Sequence, residues 1–125
     1  MSGPSLAPMP SIRDVVQALG RREGVDAVIV LGRDGLTIDA QTRDGLDADG
    51  LAALIPSVAA ACTRLGTAGS RGDFAIGVAE YGLGLIIIAI LTPEVMLAIL
   101  TQPNVNVGVM LYELKRHRTA IAGLL

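Results

Sequence analysis

Aromatic side chains are nearly missing from this sequence: it has no tryptophan, one phenylalanine and two tyrosines in 125 residues. Stacking platforms for single-stranded nucleic acid need such rings, so that class of surface is excluded. Positive charge is scarce too. Ten Lys and Arg against twelve Asp and Glu leave a formal net charge of -2. This balance argues against nucleic acid, whose phosphates are bound by clustered Lys and Arg, and no nucleic-acid partner is expected. One cysteine, Cys62, and one histidine, His117, exclude an internal disulfide, a Cys-rich metal site and a histidine-based triad. The single lysine, Lys115, follows no glycine loop, so nucleotide binding in the P-loop manner is excluded as well. No cofactor and no metal are expected, and the chain reads as non-catalytic. Charged residues make up only 18% of the whole. A small domain with so little polar surface hides part of it in an oligomer.

Apolar residues, by contrast, are plentiful, at 51%. The longest apolar run, Leu83 to Leu100, is broken by Pro93 and Glu94. Each half is strand-sized, which predicts two buried strands and no membrane span. Residues 1–10, with Pro4, Pro8 and Pro10, read as a disordered lead-in without the basic and apolar regions of a signal peptide. A lone cysteine fits a reducing cytoplasm.

Periodicity then orders the elements. Ser11 caps a first helix, with Ile12, Val15, Val16 and Leu19 on one face. Asp26 to Leu31 is a strand apolar on both faces. Gly32-Arg33-Asp34-Gly35 is a hairpin signal, and Leu36 to Gln41 is a half-exposed strand. Asp44, Asp47 and Asp49 sit in a polar loop, where capping of the next helix accounts for them better than a cation site. That second helix runs from Leu51 to about Leu65. Pro56 inside it predicts a bend near Ala52. Strands follow over Phe74–Glu80, Leu85–Leu91 and Val95–Thr101. Asn104 or Asn106 caps a last helix to about Gly123, carrying Val107, Met110, Leu111, Leu114 and Ile121 on one face, with Arg118 snorkelling from its end. The basic run Lys115 to Arg118 reads as the cationic end of that helix, or as a surface for an acidic partner. The order α-β-β-α-β-β-β-α predicts one α+β domain over residues 11–125: a five-stranded antiparallel sheet with helices on both faces.

The stretch LAALIPSVAAAC, Leu51 to Cys62, carries no charge at all. Placing Leu51, Ile55, Val58, Cys62 and Leu65 against the sheet leaves Ala52, Pro56, Ala59, Ala60 and Thr63 outward. Small uncharged residues suit the close approach of a second copy across a two-fold axis. The third strand, with Ala75, Gly77 and Ala79 on one face, is a poor example of a protected edge. Both features predict a homodimer.

The element order, the hairpin VIVLGRDGLTI (Val28 to Ile38) and NVNVGVMLYEL (Asn104 to Leu114) resemble the Roadblock / dynein light-chain domain family, including its bacterial MglB-type members. The resemblance spans Ser11 to Leu125. It implies homo- or heterodimers through the second helix and third strand, and binding of a small Ras-like GTPase, in some members with stimulated GTP hydrolysis. By position it places Arg64, Thr67, Arg71 and Asp73 where the GTPase would sit. The other readings are a structural dimerisation or adaptor module with no effect on a GTPase and, last, a small-molecule sensor, for which the sequence offers no convergent polar groups.

Overall fold

The computed structural model describes residues 11–125; the lead-in expected over 1–10 lies outside the described residues. The chain runs α1 (Ile12–Gly20), β1 (Val25–Gly32), β2 (Thr37–Thr42), α2 (Ala48–Ala68), β3 (Ile76–Tyr81), β4 (Gly84–Thr92), β5 (Val95–Thr101) and α3 (Val107–Ala122). One five-stranded sheet takes the order β2-β1-β5-β4-β3, and all its pairings are antiparallel. The apolar run 83–100 is indeed two strands, β4 and β5.

Helix starts follow local chemistry. The Asp14 amide donates to Ser11 Oγ at 3.2 Å, and the Ser11 hydroxyl donates to Asp14 Oδ2 at 2.8 Å, closing a reciprocal cap. Asn106, rather than Asn104, caps α3 by accepting from the Val109 amide at 3.2 Å. In the β1–β2 hairpin, the Gly35 amide donates to Gly32 O and the Gly32 amide to Leu36 O, both at 2.9 Å.

The three central strands are apolar on both faces because each face meets a helix layer. Val28, Val30, Ile87, Leu97 and Ile99 face α1 and α3, packing with Val15, Val16, Leu19, Met110, Leu114 and Ile121. Ile29, Leu31, Ile88, Met96 and Ala98 face α2, packing with Ala52, Ile55 and Ala59. Because β2 and β3 are the two edges, α2 carries the chain across the whole sheet. Its 21 residues span about 31 Å, ample for a sheet about 19 Å across. Sequence periodicity ordered the elements along the chain but did not predict this arrangement of strands in space.

On the α1/α3 face, the turn after α1 is tied to α3 by an ion pair in which Arg22 is buried and Glu113 half-buried. Arg22, 7% exposed, makes two parallel bonds to Glu113: Nη1 to Oε1 at 2.7 Å and Nη2 to Oε2 at 2.6 Å. The partners lie 91 positions apart in the chain, beyond the reach of local patterns. Taking one member from a buried pair strands the other charge, at a cost of about 3–5 kcal/mol. Glu113→Ala is therefore expected to lower the unfolding free energy by about 3 kcal/mol, read by urea denaturation. A change below 1 kcal/mol, roughly what a surface pair contributes, would contradict the structural weight given to this bond.

Candidate interaction surface

α2 is where the structure most changes the sequence reading. Ala52 is fully buried and Ala59 only 6% exposed, alongside Ile55; the expectation had turned both alanines outward. Leu54, Val58 and Leu65 are 68%, 49% and 73% exposed, and Ala61 lies between them on the same stripe. Val58 and Leu65 were expected against the sheet. Of the other residues expected outward, Pro56 is half-buried, while Ala60 and Thr63 are exposed. Cys62, expected inward, is half-buried. The cause is close approach. Alanines at 52 and 59 let the helix settle onto Ile29, Leu31 and Ala98, and the bulky apolar residues take the far side.

Local structure fixes this rotation. The Thr37 hydroxyl donates to Asp49 Oδ1 at 2.8 Å, tying the first turn of α2 to β2. Asp47 sits at the N-cap without a side-chain cap bond. α2 continues through Pro56 as one helix. Lacking an N–H, Pro56 leaves the Ala52 carbonyl without its helical donor. The hairpin turn packs at this point: Gly35, at φ +83°, lies against Ala52 and Ala53. At the other end, a Cβ on Gly66 would stand 2.6 Å from the Gly72 carbonyl. Glycine there lets the following loop fold back, and the Arg71 amide donates to Gly66 O at 2.8 Å. The Thr63 and Thr67 hydroxyls donate to the carbonyls of Ala59 and Thr63, at 3.0 and 3.1 Å.

The result is a helix with two apolar faces, of which one is covered. Its most apolar 18-residue window has a mean hydropathy of 1.4, and only 17% of it is buried. By length and composition alone this helix passes for a membrane span; its inner face, however, is packed on the sheet. At its C-terminal end the exposed stripe reaches the sheet edge, where Leu65 lines one cavity with Ala75 and Ile76. Ala75, Gly77 and Ala79 sit opposite Ile90, Ile88 and Ile86 on the α2 side of β3, and β3 is an edge strand. The two edges differ sharply. Beside β2, Arg13 pairs with Asp39 and Arg43 with Asp26, each at 3.1 Å. β3 carries no charge before Glu80.

Of the four residues expected at a GTPase, the structure brings two together. Arg71 and Asp73 line a cavity of about 900 Å³ between the end of α2, the start of β3 and α3. Arg64 and Thr67 are exposed on the last turns of α2 and do not line it. Sequence reasoning missed the contribution of α3. Lys115 and Arg118 line the same cavity over a floor that includes Phe74 and Ile76. Arg118, expected to snorkel, also lines a second cavity of about 750 Å³ with Arg33. The basic run was visible in the sequence, but its position beside β3 is a tertiary fact. His117, the only histidine, is half-buried. Among the described residues no group of three or more His, Cys, Asp or Glu gathers as a metal site.

The comparisons agree with this architecture. Residues 12–101 match the family model of the Roadblock/LC7 domain. An uncharacterized protein of Methanocaldococcus jannaschii is 31% identical over 106 residues, covering 82% of this chain and 86% of that protein. The Roadblock/LC7 domain from Streptomyces avermitilis superposes with a TM-score of 0.73 at 24% identity, over 86% of this chain and 88% of that one. Myxococcus xanthus MglB superposes with a TM-score of 0.81 at 18% identity, over 90% and 93%. At such identities the two solved structures establish a shared fold.

Adjacent positions on α2 separate the two faces experimentally. Ala59→Glu buries a carboxylate against Ile29 and Ala98 and is expected to destabilise the fold by about 3 kcal/mol or more. Val58→Glu changes only the outer face, and is expected to leave the fold of the isolated chain intact by circular dichroism while weakening self-association. Equal destabilisation by both would contradict the rotation described.

Proposed function

This chain belongs to the Roadblock/LC7 domain family, and from that premise we propose that it acts in the cytoplasm as a homodimer. The dimer forms through α2 and β3, binds a small Ras-like GTPase, and scaffolds it or stimulates its GTP hydrolysis. The observation that carries this reading is the uncovered apolar stripe Leu54–Val58–Leu65 on a helix whose C-terminal end meets the unprotected edge strand β3. Covering those three side chains contributes roughly 1–2 kcal/mol each. Pairing β3 with its twin satisfies a row of open backbone groups at the same time.

The chain brings no phosphate-binding loop of its own, so the nucleotide belongs to the partner. Arg64, Thr67, Arg71 and Asp73 are the proposed contacts. A regulator stimulates hydrolysis either by inserting an arginine or by positioning the GTPase's own catalytic groups. Arg71, exposed on the loop and lining the basic cavity, is the better placed of the two arginines.

The test is GTP hydrolysis by a small Ras-like GTPase of the same organism, with and without this chain. Binding with faster hydrolysis is the expected result. An inserted arginine contributes about 10³–10⁵ in rate, so Arg64→Ala combined with Arg71→Ala would abolish the stimulation. Stimulation that survives in that double variant assigns the effect to positioning. A stable dimer that neither binds the GTPase nor changes its rate would overturn the proposal in favour of a structural adaptor.

A further inference from the structure

We infer that the second copy docks on β3 in a single register: antiparallel, centred on Val78, with Glu80 of the partner subunit set against Lys115 and Arg118. The inference rests on the dimer proposed above and supplies its geometry.

The backbone limits the choice first. The Ile90 amide donates to Ala75 O at 2.9 Å, and the ladder continues from Ile76 opposite Ala89 to Tyr81 opposite Gly84. In an antiparallel pair, opposed residues that exchange hydrogen bonds alternate with those that do not. Residues 75, 77, 79 and 81 therefore direct their backbone groups to β4. Ile76, Val78 and Glu80 direct theirs outward, to the open edge.

Symmetry limits it further. Covering the α2 stripe with its twin requires both α2 helices on the same face of the joined sheet. A two-fold axis perpendicular to the sheet does this, and it makes the two β3 edges antiparallel. Directly opposed residues share a face. Each of Ile76, Val78 and Glu80 must then oppose another member of that set, or its extension beyond β3. Centring on Val78 opposes Ile76 to Glu80 and uses all three within the strand. Moving the centre by one residue either way sends one of them to oppose Phe74 or Gly82, outside β3. Centring on Glu80 sets two carboxylates face to face, which is destabilising.

Charge agrees with the same register. Ile76 packs on the α1/α3 face and lines the cavity with Lys115 and Arg118. A carboxylate arriving opposite Ile76 lands beside those two cations. Among the described residues, Glu80, Lys115 and Arg118 take part in none of the ion pairs within the chain. Both cations sit on α3, outside residues 12–101 that the family model matches.

The register is read by cross-linking in a Cys62→Ser background, with light scattering on the same samples. Opposed Cα atoms in a hydrogen-bonded pair lie about 5.5 Å apart, so Val78→Cys is expected to link to its own copy through a short bis-thiol reagent. Linkage is expected to be weaker when Val78→Cys is mixed with Glu80→Cys. A dimer in which that mixture links better than Val78→Cys alone, or in which neither links, overturns the register and leaves the dimer standing. A monomer by scattering overturns the dimer reading and the register with it. The charge pair is tested by reversal: Glu80→Lys is expected to raise the dimer Kd about tenfold, and adding Lys115→Glu to recover about threefold or more of that loss. No recovery overturns the ion pair.

Discussion

The structure turns on one contact: α2 lies on the sheet with the small side chains of Ala52 and Ala59 buried beneath it. That contact sets the rotation of the helix, and the rotation puts Leu54, Val58 and Leu65 on the outside. A helix apolar all round is stable only when enclosed. Here the sheet encloses one side and leaves the other uncovered. The same helix joins the two edge strands, which brings Leu65, the last residue of the stripe, to the start of β3.

The two edges of the sheet are protected differently. An open edge invites pairing, and proteins blunt it with charge and short irregular strands. Around β2 that protection is present, in Asp39 held by Arg13 and Asp26 held by Arg43. On β3 the first charge is Glu80, near the end of the strand. Three unpaired-looking features, the stripe, the edge and the cations of α3, then share one side of the molecule. Among the described residues no metal-ligand set assembles.

Much of this was legible in the sequence. Alternation and helical spacing located every element, and β5 falls on its expected residues, Val95–Thr101. The hairpin glycines marked their turn because positive φ at Gly35 is a local requirement. The absence of charge from Leu51 to Cys62 marked α2 as unusual. Which side it buried was misread, because the wheel placed large apolar residues inward. That holds for an amphipathic helix on an ordinary core and fails where small residues permit closer packing. The Arg22–Glu113 bond and the meeting of Lys115 and Arg118 with Arg71 depend on tertiary proximity, which no local pattern encodes.

The central claim is that the outer face of α2 is covered by a second copy of this chain. The most direct test is the mass in solution by light scattering, followed down a dilution series to low micromolar concentration. The account predicts a particle of twice the 12.9 kDa chain mass that dissociates only on strong dilution. A particle of 12.9 kDa at every concentration would contradict it, and the stripe on α2 would then belong to an interface with a different protein.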